Sequence, residues 1–153
     1  LFILKTKGQT QNLVTQTSVP TITPTIMNTL LSAVDQNIFT ATNPAIRPIE
    51  IRKLLRAAFH DSMGGTDGSI NNQNSDNRGL ETLVAGLTTL YNNANLPFSL
   101  YLSRPDFWVL CYRRALAWGI VNSGNPAPTL GPNIPVFSYG RSNNTQSPSG
   151  DTF

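Results

Sequence analysis

The chain is short of the residues on which small metal-binding and disulfide-stapled domains depend. Its 153 residues include one cysteine and one histidine. Cys111 has no partner for an intrachain disulfide, and together with His60 it falls short of the four protein ligands of a structural zinc site. A buried, inert thiol is the reading its apolar neighbours favour. Charge is scarce too, at 12% of residues, with 11 Lys and Arg against 8 Asp and Glu. The net charge of +3 is scattered, which excludes a basic stripe for nucleic acid. Arg113-Arg114, the nearest approach to a cluster, is expected on the solvated side of a helix. No apolar run is long enough to cross a membrane, and Leu1-Phe2-Ile3-Leu4 is too short for a span or a signal peptide. Neither a nucleic acid nor a membrane is therefore expected as a partner.

The length suits one domain with a real core. What fills the sequence instead of charge is Asn, Thr, Ser and Gln, so the surface is neutral and polar. Residue 1 is not Met, which suggests a processed or truncated start. Asn143-Asn144-Thr145 is a glycosylation sequon, favouring a secreted, extracellular protein.

Residues 1–22 lack helical periodicity and read as an extended N-terminal arm. Thr23-Pro24 is a helix start, cap plus proline, for a helix reaching Phe39 with Met27, Leu30, Leu31, Val34 and Ile38 on one face. After Asn43-Pro44 and Arg47-Pro48, a second helix is expected over 49–60, with Ile51, Leu54, Leu55, Ala58 and Phe59 as its apolar stripe. Residues 61–78 are Gly, Asn, Asp and Ser with hardly an apolar side chain, and form a long loop of the kind that is functional or disordered. A third helix spans Leu80 to Tyr91. Ser103-Arg104-Pro105-Asp106 resembles a capping box opening a fourth helix to about Val121. Beyond Ser123 the chain is loop-rich, with a short extended piece over 136–139.

The informative stretch is Arg56-Ala57-Ala58-Phe59-His60-Asp61-Ser62-Met63-Gly64-Gly65-Thr66-Asp67-Gly68-Ser69. Arg56 and His60 are an i, i+4 pair off the apolar stripe. A wet helix side would look the same, and a lone histidine is an unspecific signal. The loop that follows adds hard oxygen donors at Asp61, Asp67 and Ser69, with Gly64-Gly65 able to turn the chain and aim carbonyl oxygens inward, as calcium requires. Its spacing is not that of an EF-hand, and an empty turn is the competing reading.

Taken together, the motifs resemble the distal half of the plant, fungal and bacterial haem peroxidase superfamily. The resemblance rests on Arg56, Phe59, His60 and Asp61; on Gly64 through Ser69; on Asn77-Arg78-Gly79-Leu80; on Ser103 through Trp108; and on Pro135 through Gly140-Arg141, in that order. It implies an all-α fold, the distal helical half of the haem peroxidase domain over residues 23–153, with a loop-rich end. It implies haem b and calcium as cofactors, with hydrogen peroxide and a small reducing donor as substrates.

His60 is then the general acid-base, Asn77 accepts a hydrogen bond from its Nδ1 side, and Arg56 stabilises developing negative charge. Phe59, Arg56 and Arg141 lie against the haem or its edge, although Phe59 is equally compatible with an ordinary core aromatic. Asp61, Gly65, Asp67 and Ser69 ligate calcium, and Asp106 caps a helix or forms buried hydrogen bonds.

A haem peroxidase also needs a proximal histidine for the iron, and no second histidine is present. The expectation is a cleaved or truncated chain whose proximal side is covered by a second chain or another copy, inactive by itself. The alternative is a haem-free, calcium-stabilised structural or assembly module.

Overall fold

The computed structural model describes residues 20–122 and 137–142. These are 65% helix, with no strand among the described residues, so the expected all-α class holds. Expectations for the arm over 1–19, for the tail over 123–136 and for the sequon at Asn143 lie outside the described residues.

Helix α1 (Pro24–Val34) starts where the cap and proline place it: Thr23 is extended and its hydroxyl accepts the Ile26 N–H at 3.3 Å. It does not continue to Phe39 as an α-helix. Residues Asp35–Thr40 wind as a π-helix instead. The wider turn coincides with Phe39 being carried into the core, where it is 1% exposed and stacks on Trp118 at 5.4 Å. The Arg47 guanidinium lies over the Trp118 ring, 5.1 Å from its centre. Asp35, at the first π position, receives Arg114 Nε and a terminal nitrogen, both at 2.6 Å, and the Trp118 indole N–H at 3.3 Å. Arg114 is therefore half-buried and paired, not on a solvated helix side, because a bidentate carboxylate offsets its desolvation.

Helix α2 (Arg47–Met63) is longer than expected at both ends. Pro48 sits in the first turn, where its missing N–H costs nothing. The last turn runs through Asp61, so this residue belongs to the helix and not to the loop. The buried face is Ile51, Leu54, Ala57 and Asp61. Leu55 and Phe59, expected in the apolar stripe, are 36% and 57% exposed. Two leucines adjacent in sequence made the stripe ambiguous, and packing against α5 selects the Leu54 side.

A 3-10 turn (Ser75–Asn77) interrupts the polar loop, and α3 (Glu81–Asn92) follows within a residue of the expected start. The short α4 (Phe98–Tyr101) is unexpected. It forms because Phe98 is fully buried, 4.4 Å from the ring of Phe107.

Helix α5 (Arg104–Val121) is the central element and packs along α2. It buries Phe107, Trp108, Leu110, Cys111, Tyr112 and Ala115. Cys111 is fully buried, which pushes its thiol well above the ordinary range, in keeping with an inert side chain. Ser103 caps the helix by accepting the Asp106 N–H at 3.2 Å. The capping box is altered at its other half: Asp106 bonds the Ser103 hydroxyl at 2.8 Å and also holds the Gly140 N–H at 2.7 Å and the Arg141 guanidinium at 2.8 Å. One buried carboxylate thus starts the helix and fixes a segment 35 residues away.

Candidate functional site

The polar loop is ordered by its own asparagines. Asn71 Oδ1 accepts the Gln73 N–H at 2.9 Å and Asn74 Oδ1 the Asp76 N–H at 3.0 Å, two Asx turns in succession that feed the 3-10 turn. That turn delivers Asn77 into the interior, where it is 2% exposed.

Asn77 meets the only histidine. Its Oδ1 lies 2.6 Å from His60 Nδ1, while its Nδ2 donates to the Asn71 carbonyl at 2.8 Å. The second bond fixes which end of the amide faces the ring, and an amide oxygen only accepts. His60 Nδ1 therefore carries the proton, which makes Nε2 the basic nitrogen.

Arg56, one helical turn before His60, reaches the same turn from the other side. Its guanidinium donates to the Arg78 carbonyl at 3.0 Å and to the Asp76 carbonyl, the two residues flanking Asn77. The expected trio is thus brought together on a single turn. It forms an open face more than an enclosed cavity: Arg56 is exposed and His60 half-buried. Phe59 stands edge-on to His60 at 5.7 Å and, at 57% exposure, is not a core aromatic. Met63, one helical turn beyond Phe59, is 57% exposed on the same side of α2.

At the end of α2, the loop doubles back as expected. The Asp61 carbonyl accepts the Thr66 N–H at 2.8 Å, and Gly65, Thr66 and Gly68 have positive φ. Gly64 does not; a single glycine makes the reversal. Gly68 is required twice over, because a Cβ there would lie 2.8 Å from the Pro105 nitrogen at the start of α5. Asp61 is fully buried and its Oδ1 accepts the Gly68 N–H at 3.0 Å. Among the described residues Oδ2 is buried without a hydrogen-bond partner. Burial raises the Asp61 pKa from 3.8 to about 6, opposed by the backbone N–H groups and reinforced by the nearby Asp67. Asp67 in turn accepts the Ser69 N–H at 2.9 Å.

Two carboxylates and a serine hydroxyl therefore share one tight loop with an orphan oxygen among them. Among the described residues no three His, Cys, Asp or Glu gather as a metal site. Arg141 is bonded to Asp106 and to the Ser138 carbonyl at 2.7 Å.

Sequence reasoning missed the supports of the trio. Asn71 orients Asn77, and the carbonyls of Asp76 and Arg78 hold Arg56. The recurrence of asparagine at 71, 74 and 77 was the available signal. Compared with family profiles, curated proteins and solved structures, the chain gives no match.

Proposed function

We propose that this chain is the distal half of a haem peroxidase, in which His60, Asn77 and Arg56 act on hydrogen peroxide while a small donor is oxidised. The observation that carries the reading is the 2.6 Å contact of Asn77 Oδ1 with His60 Nδ1, on a turn that also binds Arg56. A merely solvated helix side has no need of a buried amide to set an imidazole tautomer.

In this reading His60 Nε2 takes a proton from hydrogen peroxide and returns it to the departing oxygen. Arg56 keeps N–H groups beyond the two that hold the turn, and these stabilise negative charge as the O–O bond lengthens. The exposed side chains of Phe59 and, one turn on, Met63 suit a flat apolar macrocycle, so the residues present fit haem on this side of α2. Haem would supply the redox chemistry. His60 is the only histidine of the sequence, so in this reading it serves peroxide and another chain or segment would supply the histidine that holds the iron. Asp61, Asp67 and Ser69, with a carbonyl such as that of Gly65, would hold calcium and thereby the end of α2. Secretion accords with the sequon but has no structural support.

A second reading, a haem-free module stabilised by calcium, is favoured by one observation: the orphan Asp61 oxygen points to an ion in the loop independently of any haem. Adding haem with imidazole as a surrogate axial ligand separates the two. The peroxidase reading expects a protein-dependent absorption band and peroxide consumption slowed at least ~10²-fold in His60→Ala. A spectrum and a rate no different from haem and imidazole alone would leave the structural module.

A further inference from the structure

His60 and Arg56 both depend on one short piece of backbone. The 3-10 turn Ser75–Asn77 presents Asn77 Oδ1 to His60, and the carbonyls of Asp76 and Arg78 to Arg56. A lone 3-10 turn has too few bonds of its own to hold such a shape. Something outside it must.

That residue is Asn74, half-buried at the N-cap of the turn. Its Oδ1 accepts the Asp76 N–H at 3.0 Å, and its carbonyl accepts the Asn77 N–H, also at 3.0 Å. The first bond fixes the peptide entering Asp76; the second closes the turn on Asn77. The Asn71 carbonyl extends the arrangement, accepting the Asn74 N–H at 3.1 Å and Asn77 Nδ2 at 2.8 Å. On the other side, Arg56 and His60 stand one turn apart on α2, so the helix fixes their spacing. What remains to be set is where the turn offers its acceptors.

We propose that Asn74 is a positioning residue for the His60–Arg56 pair: its side-chain oxygen, by holding the turn, sets both the imidazole tautomer and the seat of the guanidinium. Its part in catalysis rests on the peroxidase reading, whereas the geometry it sets is measured without haem or peroxide.

Nitrogen-resolved NMR of the full chain at about pH 8.5, above the ordinary imidazole range, reads the His60 ring nitrogens. Carbon-detected spectra of the Arg56 guanidinium read rotation about its Nε–Cζ bond. The parent should show the Nδ1–H tautomer and two separate Arg56 Nη resonances. Asn74→Ala should shift the tautomer toward Nε2–H and merge the Nη pair, and Asn74→Asp, which keeps the oxygen acceptor, should restore both. Asn93→Ala is the control for a merely structural loss. Asn93 Oδ1 accepts the Asn95 N–H at the same 3.0 Å just past α3, and its removal should move neither reporter. Asn74→Gly removes the same acceptor where glycine is tolerated as a cap, and carries the test should Asn74→Ala not fold. Either reporter unmoved on loss of the Asn74 side chain, no restoration by Asn74→Asp, or equal movement in Asn93→Ala would each overturn the assignment. Failure of the haem and imidazole experiment alone would overturn the peroxidase reading and leave the positioning of the pair intact.

Discussion

Arg141 and Asp106 meet at 2.8 Å across 35 positions, and the same carboxylate that receives the guanidinium also accepts the hydroxyl of Ser103, the N-cap residue of α5. Asp106 is 1% exposed, so removing it strands several donors at once. Asp106→Ala should cost about 3 kcal/mol, the lower end for breaking a buried pair. Arg141→Ala should cost less, because water reaches the guanidinium, whose side chain is 31% exposed. Urea unfolding of both variants checks the order.

Asn77→Ala leaves His60 Nδ1 without its buried acceptor. The expected loss is about 1–3 kcal/mol. The more specific outcome is spectroscopic: nitrogen-resolved NMR should show the Nδ1–H tautomer in the parent, and a shift toward Nε2–H in the variant. An unchanged tautomer would mean that Asn77 does not set it.

Gly68 and Gly65 both have positive φ, but only Gly68 faces backbone at close range. Gly68→Ala should therefore destabilise by about 2 kcal/mol or more, and Gly65→Ala by about 1 kcal/mol from strain alone. Thermal midpoints that reverse this ranking would contradict the packing of the loop on Pro105.

The Asp61 carboxyl titrates at about 6 in the folded, metal-free chain against 3.8 ordinarily. The folded state thus holds the proton more tightly than the unfolded one, and stability falls as pH rises from about 4 to about 6, then levels off. Denaturation in chelator across this window should show that decline, and Asp61→Asn should flatten it. Calcium should raise the midpoint at neutral pH, where the Asp61 carboxyl has lost its proton, and have little effect near pH 4.

Leu54 and Leu55 test the orientation of α2. Leu54 is fully buried and Leu55 36% exposed. Leu54→Ala should cost about 2–5 kcal/mol and Leu55→Ala below about 1 kcal/mol, measured by chemical denaturation.

That pair also marks how far the sequence could be read. Helix starts at Thr23-Pro24 and Ser103 were legible because caps are local chemistry. The meeting of Arg56, His60 and Asn77 was legible only through the ordered motifs, since their spacing alone equally described a wet helix side. The buried face of α2 was not legible: Ile51 and Leu54 are shared by two overlapping stripes, and the choice between them depends on α5, a long-range contact. Nor was the π turn at Asp35, whose reason is a partner 79 residues away in Arg114.

The contacts of Trp118 with Phe39 and Arg47 make the two tryptophans separate optical reporters. Trp108 sits 1% exposed in the centre of the core, whereas Trp118 senses the joint where α1, α2 and α5 come together. Loosening that joint would change the emission of Trp118 while Trp108 stayed in its apolar surroundings. Single-tryptophan variants would then distinguish fraying at one corner from loss of the whole fold, a distinction that a helix-content signal averages away.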